Sequence, residues 1–164
     1  MLQRIMNIAL KPNDEWPVIA AEMTNTAALY TKYIIPLSLI GPVCSFLSAA
    51  MWGQSLPFTG IKVVPAMSTL FMLMVVSYLL GLVSVAVTAV IVQKLAPTFK
   101  SQGTFVDALK LITFSYAPYW LASVITLVPI IGMLSVLVAF YGLYLFYVGL
   151  PHVMKTPEEQ RLPY

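Results

Sequence analysis

The sequence predicts an all-α integral membrane protein: a bundle of four transmembrane helices preceded by a short interfacial helical region. Composition and one pattern carry this. Of the 164 residues, 60 % are hydrophobic and only 9 % are charged, against about 45–50 % and about 25 % in a soluble domain. A soluble fold of this size would lack the charges to cover its surface. The mean hydropathy is +0.88, and four stretches are long and apolar enough to cross a hydrocarbon core about 30 Å thick. Disorder and collagen-like repeats are excluded by the same numbers, and the single Cys44 excludes an intrachain disulfide.

Residues 1–32 are expected to lie on the cytoplasmic interface, with no cleavable signal peptide, because charges interrupt any apolar core there. Leu2, Ile5, Met6 and Ala9 fall at helical spacing with Gln3 and Arg4 opposite, the pattern of an amphipathic helix. A second short helix is expected after Asn13 as N-cap, with Asp14 and Glu15 in its first turn and Trp16 at headgroup level.

The spans follow at residues 33–52, 65–92, 107–128 and 129–150, with 151–164 as a tail. Residues 65–92 are too few for two crossings, which would take about 40 residues. Four crossings put both termini on one side together with the loop around Lys94–Lys110. That side carries Arg4, Lys11, Lys32, Lys94, Lys100, Lys110, Lys155 and Arg161, and the other carries only Lys62. The asymmetry predicts cytoplasmic termini. The basic balance therefore needs no nucleic-acid partner, since an anionic leaflet accounts for it.

Small residues form a stripe on three spans: Gly41 with Ser38 and Ser45, then Ser77, Gly81 and Ser84, then Gly132, Ser135 and Gly142. Such stripes predict close helix–helix packing, where lipid offers little hydrophobic drive. Pro36, Pro42 and Pro118 interrupt the first and third spans. Each frees a backbone carbonyl that needs a partner inside the protein.

The residues best placed for chemistry surround the third span. Asp107 and Lys110 are spaced to pair on one helix face. Tyr116, Pro118, Tyr119 and Trp120 bring polar-tipped aromatics deep into the span, and Tyr144 answers from the fourth. His152, the one histidine, stands at the cytoplasmic end beside Pro151. A lone histidine without cysteines or carboxylates at ligand spacing predicts no metal site, and no cofactor motif is present. These residues either satisfy one another or line a hydrated cavity. The expected partners are the lipid bilayer and, beyond it, other membrane proteins or a second copy.

Several motifs then resemble the Yip1 family of multi-pass membrane proteins, in a small bacterial form. They are LKPNDEW around Pro12 and Trp16, YIIPL from Tyr33, and LAPTF from Leu95. DALKLITFSYAP from Asp107 and LYLFYVGLPHVMKTPEE from Leu143 complete the set. The resemblance implies a helical membrane bundle without an enzymatic reaction, here in a bacterial inner membrane. Eukaryotic members associate with prenylated Rab GTPases and with each other. This chain departs from them in lacking their long N-terminal segment and in having four expected spans rather than five. The small-residue stripes, the basic cytoplasmic rim and the uncharged spans predict a membrane scaffold or adaptor, the alternative being a channel or transporter. Transport normally uses ionisable groups within the membrane, and the expected spans hold none beyond the Asp107–Lys110 rim.

Overall fold

A computed structural model of the chain describes residues 2–55, 62–128, 134–161 and 164. Helices α1 (Leu2–Leu10) and α2 (Pro12–Ala21) are joined through Lys11. They are tied by Arg4, whose guanidinium pairs with Glu15 at 3.2 Å and also with Glu22. Burial alone would lower the Arg4 pKa, but Glu22 and Glu15 outweigh it and hold it above its ordinary value. The start of α2 corrects the sequence expectation. Pro12 occupies the first turn and Lys11 the cap position, so Asn13 lies inside the helix. Proline presets the helical φ at a position whose N–H needs no partner.

Helix α3 (Thr26–Trp52) contains a π turn at Tyr30–Ile34 and a break at Leu39. Each irregularity precedes a proline by a few residues. The rings of Pro36 and Pro42 cannot donate to, and crowd, the carbonyls of Lys32 and Ser38, and the local unwinding accommodates them. Asn25 caps the helix by accepting from the Ala28 amide at 2.8 Å. Gly53 ends it at φ +73°, a left-handed conformation that favours glycine. Two-residue strands β1 (Gln54–Ser55) and β2 (Lys62–Val63) then pair antiparallel.

Helix α4 (Met67–Leu95) is followed by α5 (Phe105–Ala122), which continues as a 3₁₀ turn over Ser123–Leu127, and by α6 (Ser135–Val153). Two tyrosine hydroxyls bind α3 to α4: Tyr30 donates to Leu82 O and Tyr78 to Ile35 O, both at 3.1 Å. The start of the expected 129–150 span, with Gly132 of the small-residue stripe, lies outside the described residues.

On α5, Ala108 to Ser115 and Ala117, Pro118 and Trp120 are all buried, enclosed by the other helices. On α4, by contrast, Phe71, Met72, Leu79, Leu80, Val83 and Val87 are all at least half exposed. So large an exposed apolar surface marks a membrane face. Among the described residues, three helices are long and apolar enough to cross a membrane: α3, α4 and α6. Helix α5 is less apolar, because it carries Asp107, Lys110 and its cluster of tyrosines and tryptophan.

The helix ends are matched. The Gln102 amide donates to Met154 O at 2.8 Å, Ser101 Oγ meets Thr156 Oγ1 at 2.8 Å, and Tyr164 donates to Val92 O at 2.5 Å. The end of α4, the start of α5 and the end of α6 therefore share one end of the bundle.

Candidate functional site

The structure separates the polar pair expected at the start of α5. Asp107 belongs to a capping box: Thr104 N and Oγ1 donate to Asp107 Oδ2 at 2.9 and 2.7 Å, and the Asp107 amide donates to Thr104 Oγ1 at 3.3 Å. Lys110 is buried and points elsewhere. Its ammonium donates to Glu22 O at 2.6 Å and to Ala20 O at 3.4 Å. It thus compensates the electronegative carbonyl end of α2. The three-residue spacing that suggested pairing is real, but Thr104 competes for the carboxylate and the end of α2 competes for the ammonium. Thr104, three residues before Asp107, was the readable signal of the cap.

Trp16 anchors the N-terminal pair to the bundle. It is fully buried, and its ring packs where Gly149 of α6 and Leu111 of α5 meet. Bare glycine at 149 makes this approach possible, since a Cβ there would lie 2.7 Å from the indole.

Further along α5 the aromatics do cluster. Tyr116 and Trp120 meet edge to face with centroids 6.1 Å apart. Tyr144 stacks instead on Tyr141 at 5.7 Å, and Tyr141 donates to Ala9 O at 2.8 Å. His152 is exposed at the end of α6. The expected site residues thus divide among the α5 cap, the α2 anchor, the aromatic cluster and the bundle end. Among the described residues no three histidine, cysteine or carboxylate side chains gather into a possible metal site.

Beside the aromatic cluster, α4 and α6 splay over α5 and leave a cleft of about 500 Å³. Tyr116, Tyr119 and Trp120 line it from α5, Gly81 and Ser84 from α4, and Gly142 from α6. The small residues therefore play two parts. Gly142 lies against the α5 backbone, its missing Cβ only 3.1 Å from Ser115 O, and Gly41 faces the Ser123 side chain. Gly81 instead faces open space, with nothing within 4 Å of a Cβ. Ser77 lines a smaller hollow between α3 and α4. The sequence pattern drew no attention to Ser115, which also lines the main cleft and whose hydroxyl is buried without a partner.

Most other hydroxyls in the spans turn back onto their own helices. Ser77 donates to Met74 O, Ser84 to Gly81 O, Thr88 to Ser84 O and Thr113 to Leu109 O, at 2.6–3.0 Å. Such i−3 and i−4 bonds satisfy the donor of a hydroxyl in an apolar setting.

Comparison with known proteins places this architecture. The Yip1 domain matches residues 6–164. The chain is 21 % identical over 175 aligned residues to "Inner membrane protein YohC" of Escherichia coli strain K12, covering 99 % of this chain and 85 % of the relative. The YohC protein of Escherichia coli O6:H1 matches to the same extent, and no solved structure matches. A helical membrane bundle whose whole length from residue 6 onward fits the domain belongs to the Yip1 family.

Proposed function

We propose that the protein is a non-enzymatic scaffold of the bacterial inner membrane that crosses the bilayer four times and organises lipids or partner proteins around it. Helix α5, third in chain order, is the crossing added to the three most apolar helices. It begins at the end of the bundle where α4 stops and α6 finishes. With its 3₁₀ continuation, its 18 and 5 residues extend about 37 Å at the rises of the two helix types, enough to cross. Its lower hydropathy suits an element screened from lipid by its neighbours.

The shared end carries Lys94, Lys100, Lys110, Lys155 and Arg161, which supports cytoplasmic termini. The inner-membrane assignment draws on the similarity to YohC. The observation that carries the scaffold reading is the filled axis: buried α5 occupies the middle of the bundle with Leu109, Leu111, Ile112 and Phe114, and the open space lies to one side. A conduit would need a polar path along that axis.

The test is flux through proteoliposomes for a panel of monovalent ions and small neutral solutes. The scaffold reading expects no flux above protein-free vesicles. A robust flux that Tyr116→Phe changes severalfold would replace it with the channel or transporter reading.

A further inference from the structure

We propose that the cleft between α4 and α6 holds one hydrocarbon chain of a membrane lipid. The inference rests on the membrane-embedded scaffold reading and adds a ligand to it. Size is the first argument. A space of about 500 Å³ is that of a small-molecule site, about 300–1,000 Å³. A helix of another subunit, about 10–12 Å across with its side chains, is too thick to enter it.

Continuity is the second. Val136, Phe140 and Leu143 on the α6 side are each more than half exposed, as are Leu79, Leu80 and Val83 on α4. This belt lies in the hydrocarbon, so the chains of the bilayer are what reach the mouth of the cleft. The third argument is Ser84: the hydroxyl on the α4 wall is satisfied by Gly81 O at 2.9 Å, so an apolar chain lying against it leaves no donor unmade. Gly81 keeps the space open, since a side chain there would grow into the cleft rather than into a neighbour.

The protein is reconstituted into phosphatidylethanolamine and phosphatidylglycerol vesicles whose acyl chains carry bromine at mid-chain, a quencher of tryptophan fluorescence on contact. Subtracting the signal of Trp120→Phe from that of the parent isolates Trp120, which lines the cleft. Strong quenching of Trp120 is expected, reduced severalfold by Gly81→Leu at an unchanged melting temperature. Native mass spectrometry should show fewer retained lipids for the same variant. Quenching of Trp120 that Gly81→Leu leaves untouched would overturn the proposal. So would disulfide-linked dimers of Gly81→Cys in a Cys44→Ala background, which would make the cleft a contact between copies. Unquenched Trp120 together with absent flux would remove the ligand and leave the scaffold reading standing.

Discussion

Trp16 is seated against Gly149, so the N-terminal helical pair is packed into the bundle through α2. A β-carbon at 149 would fall 2.7 Å from the indole and 2.5 Å from Leu111 Cδ1. Gly149→Ala should therefore cost about 1–3 kcal/mol by overpacking, and Trp16→Ala about 3–5 kcal/mol by leaving a cavity. Because the two residues share one contact, the double variant should be less damaging than the sum. Melting temperatures of the four proteins in detergent measure this. Strict additivity would show that the contact is not formed.

The two glycines that flank the cleft should behave oppositely. Gly142→Leu drives a side chain toward Ser115 O and should cost about 1–3 kcal/mol. Gly81→Leu meets nothing within 4 Å of its Cβ and should leave thermal stability nearly unchanged. Equal losses in the two variants would mean that the cleft is closed.

Asp107 and Lys110 should act independently. Asp107→Ala removes the carboxylate half of the α5 capping box and leaves the Thr104 cap in place, and should cost about 0.5–1.5 kcal/mol. Lys110→Met removes a charged donor from two carbonyls at the end of α2 and should cost about 1.5–3 kcal/mol. It should also expose α1 and α2 to protease, which Asp107→Ala should not. A double-variant cycle with a coupling well above about 0.5 kcal/mol would instead indicate a direct ion pair.

Tyr164 supplies a pH signature. Burial pushes its phenol up to about 12, above the ordinary value of about 10. The folded protein thus holds this proton longer than the unfolded chain does. Its contribution is complete below about pH 10 and is lost as the pH rises through about 12. The stability advantage of the parent over Tyr164→Phe should accordingly be flat up to about pH 10 and then shrink. Loss of the advantage around neutral pH would contradict the docking of the hydroxyl on Val92 O.

Much of this fold was legible because lipid-facing helices advertise themselves. Helix α4 is almost uninterruptedly apolar, and the structure finds it the most exposed of the spans. Helix α5 was legible as an aromatic and polar-tipped segment around Tyr116, Tyr119 and Trp120. Its central position was less so, since hydropathy reports the company a helix keeps with lipid and not its place among other helices. Contacts between distant parts of the chain were hidden altogether. Trp16 has the composition of an interfacial anchor, and only the glycine at 149 reveals that it is a core residue. The Asp107–Lys110 spacing satisfied a local rule, but the local cap at Thr104 took the carboxylate and the tertiary partner at the end of α2 took the ammonium. Ser115 looked like any helical serine until its neighbours left its hydroxyl without a partner.

The central claim, that α5 is a fourth crossing buried among the other three, is tested most directly by side-specific labelling of single cysteines in a Cys44→Ala background. Gln54→Cys, Gln102→Cys and Val128→Cys sample the ends of α3, the entry to α5 and the exit from its 3₁₀ turn. The account predicts that Gln102→Cys reacts from the cytoplasmic side only, and that Gln54→Cys and Val128→Cys react from the opposite side. Labelling of Val128→Cys from the same side as Gln102→Cys would contradict it, because α5 would then enter the bundle without crossing the membrane.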